Sequence, residues 1–101
     1  MKLSAPQQEV LRRLAACDEP LAYFKGGYWT RPSIGRECFD REGRTIMFSA
    51  PWYVSINTVR SLEHLGLLEQ TGSSVNYDIR YFPALSDRVL TQAGLRAAGK
   101  Q

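Results

Sequence analysis

Residues 54–71 constrain the fold of this chain more than any other stretch. Their pattern predicts a capped helix that ends on a glycine and continues directly as a strand. Ser55 can accept hydrogen bonds from the free N–H groups of the first helical turn, and Gly66 can adopt the left-handed conformation that closes a helix. The residues after that glycine, 67–71, then begin a strand. Four apolar residues recur at helical spacing and form one stripe: Ile56, Val59, Leu62 and Leu65.

The opposite face of this predicted helix is polar, and its side chains can all form hydrogen bonds outward: Asn57, Thr58, Arg60, Ser61 and His64. Side chains of these types can enter the major groove of duplex DNA, where Arg60 can make two hydrogen bonds to guanine or hold a phosphate. The alternative is a solvated helix face without a partner. Glu63, an acidic residue on the same helix, favours that alternative.

The segment Val54-Ser55-x-x-Thr58-Val59-Arg60, followed by Gly66-Leu67-Leu68, resembles the recognition helix and first wing strand of winged helix-turn-helix proteins. Residues 88–98 are similar to the last wing strand and the helix after it. The resemblance implies an α+β fold, a winged helix-turn-helix with a recognition helix at about 55–65 and a wing at about 67–90. It implies a transcriptional regulator that binds double-stranded DNA, and it allows a homodimer, because one module buries limited surface.

Basic residues outside the helix could hold phosphates beside the groove: Arg36, Arg41, Arg44 and Arg80. Acidic residues are interleaved with the first three, so ordinary surface charge is an equally strong interpretation. The predicted DNA-binding side chains are Ser55, Asn57, Thr58, Arg60, Ser61, His64, Arg44 and Arg80.

The rest of the chain predicts a single domain. Ser4 and Gln7 form a capping box for a first helix at about 5–16, with Pro6 in its first turn. Between that helix and the recognition helix we expect an additional β-hairpin, formed by residues 21–25 and 28–30 around a two-residue glycine turn, Gly26-Gly27. The other expected elements are a second hairpin over residues 36–48, a one-turn helix at 49–54 containing Pro51, an extended wing over 75–82 and a closing helix capped by Thr91.

Composition excludes several classes of protein. The chain has 101 residues, 44% hydrophobic and 23% charged, which suits one soluble domain. No apolar run approaches the ~20 residues of a membrane helix, and the N-terminus has no signal-peptide core, so we expect a cytoplasmic protein without a membrane partner. The separation of Cys17 and Cys38 fits no zinc site, and we expect two reduced thiols.

No catalytic, metal or cofactor site is predicted. His64 is the only histidine, and adjacent Glu63 would diverge from it on a helix, so the pair cannot serve as base and orienting acid. The glycines match no phosphate-binding loop. Most of the eleven aromatic residues have the strand spacing of core residues rather than of a base-stacking surface.

Charge supports a rival function. The chain carries a net charge of +3, yet residues 55–70 hold Arg60 against Glu63 and Glu69, a balance of −1. Residues 3–16 and 37–43 (Glu-Cys-Phe-Asp-Arg-Glu-Gly) resemble the YjhX-like small toxins, a family described as inhibitors of a bacterial DNA topoisomerase. This resemblance implies a winged-helix module that docks on a nucleic-acid-processing protein, for which a basic helix is unnecessary.

Overall fold

A computed structural model describes residues 2–24, 27–34 and 52–99. These residues form a small α+β fold with two two-stranded antiparallel sheets. In chain order the elements are α1 (Ala5–Ala15), β1 (Ala22–Phe24), β2 (Tyr28–Thr30), α2 (Ile56–His64), β3 (Leu68–Gln70), β4 (Arg88–Leu90) and α3 (Gln92–Ala97). Residues 32–34 are also helical, and a 3₁₀ turn covers Pro83–Leu85.

The capping box at the start of α1 is confirmed. The Ser4 hydroxyl accepts a hydrogen bond from the Gln7 N–H, and Gln7 Oε1 accepts one from the Ser4 N–H at 2.8 Å. Two of the free donors of the first turn are thereby satisfied. Three apolar residues at helical spacing are buried and form the face of α1 that packs against the core: Val10, Leu11 and Leu14.

The cap and the closing glycine of α2 are confirmed as well. Ser55 Oγ accepts a hydrogen bond from Thr58 N, and Gly66 has a φ of 76°. The apolar stripe is only partly correct, because Leu65 is 39% exposed. An i, i+3 series drifts about 60° around a helix at each step, so its last member leaves the side that faces the core.

The hairpin between α1 and α2 is present, with Phe24 opposite Tyr28. Three residues therefore connect β1 and β2, one more than predicted, and the described one, Gly27, has a φ of 90°. In the second sheet β3 pairs with β4 in the register Leu68 opposite Leu90. A bridge between Leu21 and Arg88 joins the two sheets.

The prediction of an extended strand over residues 75–82 is wrong, because local side-chain hydrogen bonds fold this segment into turns. Ser74 Oγ accepts hydrogen bonds from the N–H groups of Asn76 and Tyr77. The Asp78 carboxylate accepts a hydrogen bond from Arg80 N, and the backbone carbonyl of Asp78 accepts one from Phe82 N. Serine and aspartate offer such local partners in place of a strand ladder, which periodicity alone does not reveal.

The one-turn helix expected at 49–54 is not formed in its described part, residues 52–54. Val54 instead pairs with Trp29, exchanging backbone hydrogen bonds of 2.7 and 3.0 Å. The prediction that Trp52 supplies core area is confirmed, since it is 9% exposed. Pro51 and the second hairpin expected over 36–48 lie outside the described residues.

The core lies where α1, α2 and the two sheets meet, and its largest fully buried side chain is that of Trp29. The closing helix α3 begins as predicted: Thr91 Oγ1 accepts a hydrogen bond from Gly94 N at 3.0 Å. No helix among the described residues combines the length and the apolar character that crossing a bilayer requires.

We expect Gly94→Ala to lower the free energy of unfolding by about 1–3 kcal/mol. A Cβ on Gly94 would overlap the Leu67 carbonyl oxygen and lie 3.2 Å from Leu90 Cδ2. Helix propensity alone predicts the opposite sign, a gain of up to about 1 kcal/mol. Urea denaturation followed by tryptophan fluorescence measures the effect, with exposed Ala97→Gly as the propensity control. A more stable G94A protein would contradict the packing of α3 against residue 67.

Candidate nucleic-acid interface

Three side chains form an exposed ridge along α2: Asn57, Arg60 and His64. They lie on the side opposite the fully buried Val59 and Leu62. Spacing of three and four residues places the three on one face of the helix. The predicted orientation, with the aliphatic side against the core and the amide and guanidinium groups in solvent, is confirmed for Asn57 and Arg60. The hydroxyl groups of Thr58 and Ser61 were predicted to face solvent as well, but both residues are half-buried.

Arg60 is the positive charge of this ridge. Its guanidinium makes no hydrogen bond or ion pair with the residues that the structure describes, and it is exposed. An uncommitted guanidinium can bind a phosphate or the edge of a guanine without first giving up an internal partner. Arg60 is therefore available for an external anion.

The hydroxyl groups of α2 are already engaged within the molecule. Ser55 Oγ caps the helix and lies 3.4 Å from Thr58 Oγ1. Ser61 Oγ donates to the Thr58 carbonyl at 2.8 Å and accepts from Gln7 Nε2 at 3.0 Å, which ties α2 to α1. Of the six residues of α2 and its N-cap that are predicted to contact DNA, these three stabilise the fold, and the ridge holds the other three.

Arg88 is the residue that sequence reasoning missed. Its side chain is 4% exposed, its guanidinium carbon lies 5.0 Å from the ring centre of Trp29, and its Nε lies 3.1 Å from Glu63 Oε1. That ion pair lacks hydrogen-bond alignment. The other guanidinium nitrogens donate to the carbonyls of Ser86 and Ala84. No sequence signal links positions 63 and 88, because the pair exists only after α2 and β4 are brought together.

A cleft of about 460 Å³ lies beside the ridge. Arg60, Glu63 and Arg88 line it together with Leu85 from the 3₁₀ turn and the aromatic side chains of Tyr23 and Trp29. Glu63 forms an ion pair with Arg88, so Arg60 supplies the surplus positive charge of the described lining. Residues of α2 and of the 3₁₀ turn line this same cleft, so the two elements lie on the same side of the molecule.

Arg80 is exposed but has an internal partner. Its Nη2 lies 2.7 Å from Asp78 Oδ2, and the Arg80 side chain is 81% exposed. Hydrogen bonds from Arg80 lower the pKa of the Asp78 carboxyl. An exposed pair of this kind contributes little to stability, so a phosphate can compete for the guanidinium. Arg36, Arg41 and Arg44 lie outside the described residues.

Aromatic rings run in a connected series from the core to the surface. Ring centres are 5.4 Å apart for Trp29 and Tyr23, 5.6 Å for Tyr23 and Tyr77, and 5.9 Å for Tyr77 and Phe82. Phe82 is 51% exposed and its neighbour Tyr81 is 75% exposed. The expectation of core aromatics is thus correct for Trp29 and wrong for the outer end of the series, which lies in the turns that the sequence did not predict.

Comparison with models of protein families, with curated proteins and with solved structures finds no match.

Among the described residues, no group of three histidine, cysteine, aspartate or glutamate side chains is arranged to hold a metal ion. His64 and Glu63 point to different surroundings, since Glu63 pairs with Arg88 while His64 is exposed.

Two arginines of the cleft are expected to differ sharply in their effect on stability. Arg88→Ala removes a buried cation and leaves Glu63 unpaired, which should lower the free energy of unfolding by on the order of 3 kcal/mol. Arg60→Ala changes only an exposed group and should alter stability by less than about 0.5 kcal/mol. Chemical denaturation of both variants measures the difference. Equal losses would show that Arg88 does not hold the cleft together.

Proposed function

We propose that this protein binds double-stranded DNA as a small winged-helix regulator, with α2 as the recognition helix. The observation that carries the proposal is the exposed ridge of Asn57, Arg60 and His64 on a capped, well-packed helix. A helix of this kind fits the major groove, and these side-chain types bind base edges or phosphates there. Such a role fits the cytoplasmic location that the sequence predicts.

The segment between β3 and β4 would act as the wing. It leaves β3 at Gln70, returns at Arg88 and consists of turns rather than a long hairpin. Arg80 lies in these turns and could exchange its Asp78 partner for a phosphate. In this arrangement α2 supplies sequence recognition and the wing supplies sequence-independent contact with the backbone.

The modest positive charge of the interface sets an expectation for affinity. Among the described residues of this face Arg60 is unpaired and Arg80 is paired, so these two would neutralise few phosphates in one copy. Binding strength depends on the number of phosphate contacts, and a single small module buries limited surface. A homodimer that reads two half-sites would double both quantities, and such a dimer is part of the proposal.

The test is a titration of labelled duplex DNA followed by fluorescence anisotropy between 50 and 200 mM salt. We expect binding that weakens as salt rises, and Arg60→Ala should weaken it by a further factor of roughly 5–100. Arg96→Ala is the matched control, because Arg96 is an exposed arginine on α3 outside the ridge and the cleft.

The control variant should bind within about twofold of the wild-type protein, since an exposed charge away from the interface changes little. Absence of binding at the lowest salt concentration would contradict the proposal. An equal loss of affinity in R60A and R96A would show that only overall charge matters and that α2 is not the reading element.

A second candidate function is docking on a nucleic-acid-processing protein. Tyr81 and Phe82 favour it, because exposed aromatic side chains are enriched at protein interfaces and are costly to leave in water. The acidic motif at 37–43 that resembles the toxin family lies outside the described residues. This candidate requires the exposed rings, whereas the DNA-binding proposal requires Arg60.

Affinity capture from nuclease-treated cell extract separates the two candidates. Docking predicts a specific partner that remains bound after nucleic acid is destroyed. That partner should be lost in the Tyr81→Ser, Phe82→Ser double variant and retained by Arg60→Ala. Loss of every captured partner on nuclease treatment would exclude docking as the main function.

A further inference from the structure

A second cleft, of about 420 Å³, lies between the end of α1, the residues after β3, and β4. Its apolar wall includes Leu14, Val89, Leu90 and Leu95. Cys17, whose thiol is free and half-buried, also lines it. Among its described lining residues, none also lines the cleft beside Arg60.

All the charged side chains among the described lining residues of this cleft are acidic: Asp18, Glu19 and Asp87. The Glu19 carboxylate is committed, because it accepts hydrogen bonds from Ser33 N at 3.0 Å and from Ser33 Oγ at 2.6 Å. Asp18 is exposed and has no partner among the described residues. Two carboxylates therefore remain for an external group.

Asp87 is an unusual side chain for this position. It is 2% exposed, its Oδ2 accepts one hydrogen bond from Val75 N at 3.2 Å, and its buried Oδ1 has no partner. A buried acceptor without a donor is rare and costly. Burial raises the pKa of the Asp87 carboxyl, against the opposing effects of the Val75 N–H and the Arg88 charge. A cation in the cleft would compensate this buried negative charge.

We propose that this cleft binds a small aliphatic amine. Its ammonium group would be held by Asp18 and Asp87, and its carbon chain would contact the apolar wall. An organic cation fits better than a metal ion, because no three metal-ligating side chains converge among the described residues. The volume lies in the range of small-molecule sites, which are mostly apolar with a few polar groups that orient the ligand.

Cys17 provides a direct readout at the proposed site. The experiment measures its rate of alkylation by iodoacetamide with increasing n-pentylamine. Tryptic peptides 14–25 and 37–41 separate Cys17 from Cys38, so Cys38 reports any loss of reagent. At an amine concentration roughly ten times Kd, alkylation of Cys17 should slow about tenfold, because about a tenth of the clefts remain free.

The uncharged analogue 1-pentanol should protect Cys17 far less than the amine does. An unchanged rate at Cys17 would overturn the proposal. Equal protection by amine and alcohol would overturn it too, because the carboxylates would then play no part. Slowing of both cysteines together would show an effect on the reagent rather than on the cleft.

Two variants test the carboxylates. Asp87→Asn keeps an acceptor for the Val75 N–H but removes the charge, and should raise Kd for the amine roughly tenfold. Asp18→Asn removes an exposed charge and should raise Kd by about two- to fivefold. Glu69→Gln is the control, because it removes an exposed acidic charge on β3 outside the cleft.

Wild-type affinity in both D18N and D87N, or an equal loss in E69Q, would overturn the proposal. If D87N does not fold, D18N and E69Q still decide the outcome. The inference is independent of DNA binding, and Arg60→Ala should bind the amine as the wild-type protein does.

Discussion

The rest of this structure depends on the interactions of one buried residue, Arg88. The backbone of Arg88 exchanges hydrogen bonds of 2.8 and 2.9 Å with the backbone of Leu21 and so joins the two sheets. Its side chain lies over Trp29 of β2 and pairs with Glu63 of α2. A cation held among an aromatic face, a carboxylate and two carbonyls is costly to desolvate, and this cost is offset only when all the partners are in place. The ion pair therefore specifies how α2 is set against both sheets.

Two regions of the described structure differ in the charge that they present. Glu63 pairs with Arg88, and among the described residues this leaves the ridge of Asn57, Arg60 and His64 in solvent with one positive charge that has no acidic partner. The second cleft, around Asp87, is acidic among its described residues. The first region offers a positive group and the second offers negative groups, so a small net charge of +3 includes local regions of opposite sign.

Elements specified by local chemistry could be predicted from the sequence. The cap at Ser55, the left-handed Gly66 and the capping box at Ser4 each depend on residues within one helical turn, and all three are present. The ridge on α2 follows from the same helical period. The turns at 74–82 were not predicted, because the alternation of apolar residues indicated a strand more strongly than serine and aspartate indicated local hydrogen bonds. Arg88 and the orphaned Oδ1 of Asp87 could not be predicted, because both depend on contacts between residues far apart in sequence.

The most direct test of the central claim maps the contact surface on the protein itself. In ¹⁵N-labelled protein titrated with duplex DNA at low salt, the account predicts that backbone amide shifts change most along residues 57–64 and 78–82. Amides of α3, at residues 92–97, should move little. Changes centred on α3 or around Asp87, or no changes at all, would contradict the claim that the exposed face of α2 reads DNA.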